Sequence, residues 1–309
     1  MANLNLDRHS NIYPFIDSDR FRGSLDGQIA LVTGAGRGIG ESIAIAFAQA
    51  GANVVCLAKT KKEIDQTVAK IAQCGYPEAM AVSVDVSCLS EISHVIASVK
   101  SKFGHVDILI NNAGIDRIGS MQYEADFQAW WKVFEVNLMG PAALIHQALP
   151  GMISRNRGII INIGSRNAIC NHPFMTAYSA SKTALLRFHQ CLDLELRGTH
   201  VYTFYIQPGD VTTSLIDGTY NPEEPAKLPR LQAMLSGMQD AMKSNNSDST
   251  WLAANTCVTL AADEDARLLS GLYIDANQDL SQLLAEARKG RNGLIKQGQL
   301  YSLKVDVLE

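Results

Sequence analysis

The sequence predicts an α/β fold in which helices cover both faces of a doubly wound parallel sheet, within a single domain. Short apolar runs alternate with amphipathic segments of helical length along most of the 309 residues. Each apolar run is almost continuous, as in strands that are buried on both faces. No stretch rich in proline, glycine or serine divides the chain, so one domain is the simplest account.

The order of strands and helices follows from these runs. Between residues 61 and 74, for example, Ile64, Val68 and Ile71 share one helical face, and Gly75 follows as a helix end. Strands are expected at residues 28–33, 53–57, 79–84, 106–110, 158–163, 201–206 and 272–274. Helices are expected at residues 41–50, 61–74, 91–103, 127–152 and 176–196.

Three segments depart from this alternation. Residues 1–24 are polar with scattered aromatics and are predicted to form an arm, packed on the body of residues 25–309 or on a partner subunit. Residues 212–250 are interpreted as a substrate loop or lid, and the alternative is that they simply pack on the core. In the tail, residues 285–309, the end alternates in polarity and is predicted to be strand-like, pairing with a sheet edge or a neighbouring subunit.

The lid segment contains three prolines and then a helix-like run of large apolar residues. Methionine suits an adaptable apolar wall against a ligand. The apolar residues of this run are Leu231, Met234, Leu235, Met238 and Met242.

Composition and charge exclude several classes of protein. A net charge of -4 argues against nucleic-acid binding, which is usually strongly basic. Six cysteines without C-x-x-C spacing are interpreted as reduced thiols, and seven histidines show no metal-ligand spacing. The N-terminus lacks a signal-peptide core, and no apolar run is long enough to cross a bilayer. We therefore expect a cytoplasmic protein without a metal site or a membrane partner.

A glycine-rich turn joins the first predicted strand to the first predicted helix, where the sequence reads TGAGRGIG. Gly34, Gly38 and Gly40 let the backbone approach a pyrophosphate, and the free N–H groups of the helix N-terminus then face the anion. A glycine motif alone is weak, but its place between strand and helix predicts a Rossmann-like dinucleotide site.

Tyr178 and Lys182 lie four residues apart in a predicted helix and therefore on one helical face. A neighbouring ammonium favours the phenolate, so we expect the pKa of Tyr178 to be lowered. A phenol activated in this way transfers protons near neutral pH, and a nicotinamide bound nearby would supply the hydride.

The end of the second strand indicates which nicotinamide cofactor is used. Where NAD-binding proteins place an acid, this chain has Ala58 followed by Lys59. Arg37, Lys61 and Lys62 add positive charge, and no carboxylate is expected there. The charges favour NADP(H) over NAD(H), unless the lysines are only a solvated helix start.

The residues so far resemble the motifs of the classical short-chain dehydrogenase/reductase family from about residue 25 to about residue 275. The resemblance implies that Tyr178 is the acid/base, that Lys182 binds the nicotinamide ribose, that Ser165 holds the substrate oxygen and that Asn137 fixes a water in a proton relay. The remaining family motifs are Asp85–Val86, Asn111 to Gly114, and Pro208–Gly209 followed by Val211 and Thr213.

Together, the glycine turn, the charges and the family motifs give a set of expected cofactor contacts. Asp85 and Val86 are implied at the adenine, and Val211 near the nicotinamide carboxamide. The full set is Gly34, Arg37, Gly38, Ile39, Gly40, Lys59, Asp85, Val86, Asn112, Ala113, Gly114, Tyr178, Lys182, Pro208, Gly209, Val211 and Thr213.

One position departs from the family pattern. Arg166 follows the catalytic serine where small or apolar residues are more common, and either reaches the substrate or a cofactor phosphate or forms a surface salt bridge. Asp116 and Arg117 are expected at the pocket mouth. The loop before Tyr178 carries His172, Phe174 and Met175.

These features predict an NADP(H)-dependent oxidoreductase that interconverts a carbonyl and a secondary alcohol on a medium-sized, cyclic or aromatic small molecule. The alternatives are a non-redox enzyme of the same fold, catalysing dehydration, isomerisation or cyclisation, and a nucleotide-sensing binding protein. The intact Ser165, Tyr178 and Lys182 argue against the sensor. By resemblance, we also expect a homodimer or a homotetramer.

Overall fold

A seven-stranded, all-parallel sheet forms the centre of the protein, in the strand order β3-β2-β1-β4-β5-β6-β7. The computed structural model describes residues 4–212, 220–221, 223–243 and 247–303. The predicted fold class is confirmed. The strands are β1 (Ile29–Thr33), β2 (Asn53–Ala58), β3 (Ala79–Ser83), β4 (Ile108–Asn111), β5 (Gly158–Ile163), β6 (Val201–Gln207) and β7 (Tyr273–Asp275).

Helices connect the strands and cover both faces of the sheet. They are α1 (Gly38–Gln49), α2 (Lys61–Gln73), α3 (Leu89–Phe103), α4 (Phe127–Phe134), α5 (Gly140–Ser154), α6 (Thr176–Glu195), α7 (Glu224–Lys227), α8 (Pro229–Lys243), α9 (Thr250–Ala262), α10 (Leu280–Ala287) and α11 (Leu294–Gln297). The strand order reverses between β1 and β4, and ligands of such sheets bind at this switch point, beyond the carboxyl ends of the strands.

Two predicted helices differ from the observed ones. The first begins at Gly38 rather than at residue 41, because the last residues of the glycine turn already enter its hydrogen-bonding pattern. The long helix expected at residues 127–152 is divided into α4 and α5 by a π-helical turn over Glu135–Met139. In that turn the N–H of Gly140 donates to the carbonyl of Glu135, five residues back, so one extra residue is accommodated.

Apolar side chains form a separate core on each face of the sheet. On one face, residues of α1 and α9 such as Phe47 and Leu252 pack on β1, β2 and β6. On the other face, residues of α3 and α5 such as Val99 and Leu144 pack on the opposite sides of the same strands. Because every central strand is covered twice, it needs apolar residues at consecutive positions.

The N-terminal arm packs on the body of its own chain. Ile16 and Phe21 are buried in the core that contains α1 and α9. The backbone N–H of Ser18 donates to the Asn255 side chain at 2.7 Å, and the Tyr13 hydroxyl accepts from the N–H of Leu280 at 2.7 Å. Burial raises the pKa of Tyr13.

The tail differs from the predicted strand as far as it is described. Residues 298–303 contain no strand, and residues 304–309, which carry the rest of the alternating pattern, lie outside the described residues. The tail nevertheless reaches the edge of the sheet, where the carbonyl of Tyr301 accepts a hydrogen bond of 2.8 Å from the N–H of Tyr273 in β7. One backbone contact therefore replaces the expected ladder in this part.

Among the residues that the structure describes, no helix combines the length and the apolar character needed to cross a membrane.

Candidate functional site

A cavity of about 730 Å³ opens at the carboxyl edge of the sheet, around the switch point between β1 and β4. The loops that follow β1, β2, β3, β4, β5 and β6 all contribute to its wall. The cavity extends from the glycine turn at one end to Tyr178 at the other. It is therefore the place where the predicted site residues meet.

The structure brings almost all of the sequence-predicted site residues to this cavity. Asn137 lies behind the wall, and Thr213 lies outside the described residues. Those that line the cavity are Gly34, Arg37, Gly38, Ile39, Gly40, Lys59, Asp85, Val86, Asn112, Ala113, Gly114, Ser165, Tyr178, Lys182, Pro208, Gly209 and Val211.

The glycine turn fits the pyrophosphate of a dinucleotide. Gly34 and Gly38 have φ angles of 65° and 57°, which other residues rarely adopt. A Cβ atom on Gly34 would lie 2.8 Å from Asn112 Nδ2, so the turn packs closely on the loop after β4. Arg37 is the N-cap residue of α1, and within the described part of the chain its side chain forms no capping hydrogen bond. The N-terminus of α1 therefore presents backbone N–H groups to the cavity, as an anion requires.

Thr33 joins the glycine turn to the loop after β4. Its hydroxyl accepts hydrogen bonds of 2.9 Å from the N–H groups of Asn112 and Ala113, while Asn112 Nδ2 donates to the carbonyl of Thr33 at 2.9 Å. On the neighbouring strand pair, Asn111 Nδ2 donates to Asn162 Oδ1 at 2.9 Å. These bonds hold two walls of the cavity in one position.

The end of the cavity beside β2 carries two ion pairs. Arg37 Nη1 lies 3.8 Å from Glu63 Oε1, and Lys59 Nζ lies 3.3 Å from Asp85 Oδ2. The expectation that no carboxylate lies here is wrong, because Glu63, in the first turn of α2, also lines the cavity. The sequence could have indicated Glu63, since the first turn of the helix that follows β2 faces the same end of the cavity as Lys59.

At the opposite end, Ser165, Tyr178 and Lys182 converge. Ser165 follows β5, and Tyr178 and Lys182 lie on one face of α6. Lys182 Nζ lies 5.8 Å from the centre of the Tyr178 ring and donates to the carbonyl of Ile163 at 2.8 Å. All three side chains line the cavity, so one polar substrate atom can meet both hydroxyl groups.

Burial controls the protonation of this cluster. It raises the pKa of Tyr178 to about 12; the charge of Asp116 adds to the rise, and a hydrogen bond with Ser165 opposes it. Burial also lowers the pKa of Lys182 to about 8, against the opposing charge of Asp116. The expected lowering of the Tyr178 pKa is therefore wrong for the chain without a ligand, because burial disfavours the phenolate more than the hydrogen bond with Ser165 favours it.

Asn137 occupies the π-helical turn and supports the cluster from behind. Its Nδ2 donates to the carbonyl of Ile115 at 2.9 Å and to Ser181 Oγ at 3.1 Å, and its Oδ1 accepts from the N–H of Ile115 at 2.9 Å. Both amide hydrogens are thus in use within the protein. A water contact of this side chain stays a prediction, and only Oδ1 has capacity left for it.

Tyr205 is a supporting residue that the sequence did not reveal. It lies fully buried in β6. Its hydroxyl accepts from the N–H of Ser165 at 3.2 Å and donates to the carbonyl of Lys182 at 3.1 Å. Gly164 leaves room for the ring, since a Cβ atom there would overlap it. Only the pairing of β5 with β6 brings these residues together.

The charged residues near the mouth are paired with one another. Arg166, for which two roles were open, forms an ion pair of 3.1 Å with Asp210, and both line the cavity. Arg117 Nη2 lies 2.5 Å from Glu124 Oε1, so its guanidinium is engaged. Asp116 is buried.

Of the predicted lid, residues 212, 220–221, 223–243 and 247–250 are described, and α8 packs on the loop after β4 and on the loop before Tyr178. Leu231 and Leu235 of α8 are buried against Ile118, with Phe174 and Met234 alongside. This cluster is separate from the two cores of the sheet. A further contact joins α7 to the loop after β4, because the buried side chain of Glu224 accepts a hydrogen bond of 3.1 Å from the N–H of Ser120.

The loop before Tyr178 carries Phe174 and His172. Phe174 has a φ angle of 64°, unusual for a bulky side chain, and its carbonyl accepts from the N–H of Gly119 at 2.8 Å. Such strain persists only where surrounding contacts enforce it. His172 is exposed.

Comparison with known proteins agrees with this geometry. Residues 28–224 match the family model for the short chain dehydrogenase. A short chain dehydrogenase of Pseudocercospora fijiensis is 38% identical over 298 residues, covering 96% of this chain and 95% of the relative. The short chain dehydrogenase mpl6 of Monascus purpureus is 31% identical over 302 residues, covering 96% of this chain and 94% of the relative.

A solved structure is similar as well. It is described as an NAD(P)-dependent gluconate 5-dehydrogenase from Beutenbergia cavernae with NADP bound at low occupancy. The TM-score is 0.69 at 28% identity, covering 82% of this chain and 96% of that one. The fold, the family match and the relatives agree, and the chain belongs to the classical short-chain dehydrogenase/reductase family of oxidoreductases.

Proposed function

We propose that the protein is an NADP(H)-dependent oxidoreductase that interconverts a carbonyl and a secondary alcohol, with Tyr178 as the general acid/base. The observation that carries this proposal is the convergence of Ser165, Tyr178 and Lys182 at one end of the cavity whose other end is the glycine turn. A single dinucleotide that extends along the cavity would bring its nicotinamide to the three side chains.

The bound nicotinamide supplies or accepts the hydride. The protein stabilises the charge that develops on the carbonyl oxygen through donors from Ser165 and Tyr178, which are positioned before the reaction starts. Tyr178 then gives its proton to that oxygen, and in the reverse direction it accepts one. At neutral pH a phenol with a pKa of about 12 is protonated, which is the form that reduction needs.

A medium-sized, cyclic or aromatic substrate suits the wall that faces these residues. The cluster of α8 with Ile118 and Phe174 packs apolar side chains on the loop after β4 and on the loop before Tyr178. Met234 and Met238 belong to it, and methionine adapts to irregular apolar ligands. In this proposal, the described part of residues 212–250 acts as a lid on the substrate.

The preference for NADP(H) rests on two exposed cations at the β2 end of the cavity. Arg37 and Lys59 are 66% and 80% exposed, and their ion pairs with Glu63 and Asp85 are long. Such surface pairs contribute little, roughly 0–1 kcal/mol. A phosphate can therefore replace the carboxylates as the partner of both cations. The similar protein described as NAD(P)-dependent, with NADP bound, agrees with this preference.

Changing these charges should change the cofactor preference. We expect Arg37→Ala and Lys59→Ala each to weaken NADPH binding by about tenfold and to leave NADH binding nearly unchanged, because only the former carries the extra phosphate. Glu63→Gln should strengthen NADPH binding a few-fold, because a carboxylate that repels the phosphate is lost. Fluorescence titration of the reduced cofactors measures both effects.

Lys61→Ala is the matched control for this series. Its ammonium pairs with Asp65 at 2.6 Å, and Lys61 does not line the cavity. It should leave both affinities unchanged. Equal losses for NADPH and NADH in Arg37→Ala, or a parent protein that prefers NADH, would contradict the assignment.

We also propose that the protein is a homodimer or a homotetramer. Phe127 and Trp131 on α4 are 57% and 51% exposed and stack with Trp130 and Phe134 in an aromatic ladder. A second copy of the chain would bury this surface, which a monomer leaves in water. Sedimentation as a monomer at micromolar concentration would refute the assembly.

The proposed location is the cytoplasm. All six cysteines are free thiols in the structure, as is usual in a reducing compartment.

The reaction itself is tested by following NADPH oxidation with a panel of carbonyl compounds. We expect turnover of bulky cyclic or aromatic ketones, because the apolar cluster of α8, Ile118 and Phe174 lies on the loops beside the site in this proposal. Good turnover of small aldehydes with poor turnover of every bulky ketone would reject the substrate class. Tight NADPH binding without any oxidation would instead favour the non-redox enzyme or the nucleotide-sensing protein.

A further inference from the structure

The backbone of Ser165 is held by a side chain of the neighbouring strand. Ser165 follows β5 in an extended conformation, with φ and ψ angles of -164° and 154°. Its N–H donates to the hydroxyl of Tyr205 in β6 at 3.2 Å. The same hydroxyl donates to the carbonyl of Lys182 in α6 at 3.1 Å. One phenol therefore connects the segment that carries Ser165 to the helix that carries Tyr178 and Lys182.

The ring of Tyr205 is closely enclosed. It is fully buried and packs with Ala168 and Leu186. Tyr273 of β7 stacks on it, with the ring centres 5.7 Å apart. Towards β5, the ring occupies the space that a Cβ atom on Gly164 would need. Because the ring is enclosed in this way, its hydroxyl is a fixed point between the loop after β5 and α6.

The side chain of Ser165 is oriented by the same stretch of backbone. Its hydroxyl oxygen accepts a hydrogen bond of 3.1 Å from the N–H of Asn167. A hydroxyl has a single hydrogen to donate, and the bond from Asn167 leaves that hydrogen available for an oxygen atom in the cavity. The direction in which Ser165 donates therefore depends on the backbone that Tyr205 holds.

Two other hydrogen bonds join α6 to the chain around Ser165. Lys182 Nζ donates to the carbonyl of Ile163 at 2.8 Å, and Thr183 Oγ1 donates to the carbonyl of Ala168 at 3.0 Å. These bonds fix the segment on either side of the serine, and neither involves the Ser165 N–H. The contact from Tyr205 acts on the serine backbone itself.

We propose that Tyr205 is a positioning residue for the reaction at Tyr178: its hydroxyl fixes the backbone of Ser165 against α6, so that the two hydroxyl groups of the site meet one substrate oxygen. This role rests on the proposed function, in which Ser165 and Tyr178 stabilise the charge that develops on a carbonyl oxygen. Such donors are effective because they need not reorient during the reaction. Tyr205 acts through Ser165 and does not line the cavity.

The contact itself is tested in the cofactor-free full chain. In protein labelled with ¹⁵N at serine, the amide signal of Ser165 is identified by its loss in Ser165→Ala. We expect hydrogen exchange of this amide to be at least about tenfold faster in Tyr205→Phe. The N–H loses its acceptor in that variant, while the ring still fills the core. An unchanged exchange rate would overturn the proposal.

Tyr202→Phe is the matched control, because it removes a hydroxyl from the same strand at a residue that does not contact Ser165. It should leave the exchange rate of the Ser165 amide unchanged. An equal acceleration in Tyr202→Phe would mean that the effect reflects a general loosening of β6, and it would count against Tyr205.

A double-mutant cycle connects the contact to the reaction. For NADPH-dependent reduction of the ketone with the highest kcat/KM in the panel, Tyr205→Phe should lower kcat about tenfold and leave KM within about twofold of the parent value. In a Ser165→Ala background, Tyr205→Phe should lower kcat by no more than about twofold, because the group through which Tyr205 acts is already absent.

A merely structural role would lower kcat by the same factor in both backgrounds, and that result would overturn the proposal. Unchanged kcat in the single variant Tyr205→Phe would do so as well. If the parent protein reduces no ketone, the proposed function fails. The exchange measurement needs no cofactor, so it decides separately whether Tyr205 holds Ser165.

Discussion

Tyr178→Phe is expected to lower kcat for carbonyl reduction by at least about 10³-fold, with NADPH affinity within about twofold of the parent. In the proposed mechanism, the substitution removes the proton donor and one of two hydroxyl groups that stabilise the developing charge, while the ring remains to fill the buried site. Lys182 keeps its hydrogen bond to the carbonyl of Ile163, so the predicted contact with the nicotinamide ribose is unchanged. Steady-state turnover and fluorescence titration on the same preparations measure the two quantities.

Tyr202→Phe provides the matched control for the tyrosine. Tyr202 lies in β6 near its amino end, away from the cavity, where Arg267 stacks on its ring. Removal of the Tyr202 hydroxyl should leave kcat within about twofold of the parent value. Ser165→Ala should fall between the two, because one donor is lost and the proton donor remains. Full turnover in Tyr178→Phe would show that another group supplies the proton.

Gly40→Ala is expected to lower the free energy of unfolding by more than about 2 kcal/mol and NADPH affinity by at least about tenfold. A Cβ atom at Gly40 would lie 2.7 Å from the carbonyl carbon of Gly34 and would also overlap Asn112 Nδ2. Because both neighbours belong to walls of the pyrophosphate cradle, the clash is relieved only by moving the glycine turn. Urea unfolding and NADPH titration measure the two losses.

The control for this change is Gly237→Ala in α8. Within the described part of the chain, nothing lies within 4 Å of a Cβ atom at Gly237. The same substitution should therefore be neutral or stabilising by up to about 1 kcal/mol, from helix propensity alone. Equal effects at both glycines would mean that the loss at Gly40 is not a steric one.

Much of the fold could be predicted because it depends on patterns within a few residues. Continuous apolar runs indicated strands buried on both faces, and a 3.6-residue period indicated the helices. Most residues that line the cavity could be predicted for the same reason. Glycines before a helix, and residues directly after successive strands, meet at the carboxyl edge of a parallel sheet. Thr33 and Gly34 illustrate this, since one strand end places both.

The features that were missed depend on contacts between distant segments. In the π-helical turn, the amide of Asn137 forms hydrogen bonds with Ile115 and Ser181, and a helical period cannot reveal such partners. Tyr205 supports Ser165 only because β5 pairs with β6. Glu63 is the exception, because it lies in the first turn of the helix that follows β2, and the sequence could have placed it at the cavity.

The amino-acid sequence by itself determined the α/β class, the succession of elements, the family and most of the predicted residues that line the cavity. The tertiary structure decided their electrostatics. The spacing of Tyr178 and Lys182 suggested an activated phenol, whereas burial in fact raises the pKa of Tyr178 and lowers that of Lys182. Burial and the position of Asp116 arise from many distant packing contacts, and the cost of desolvating a charge can exceed the attraction of one neighbour.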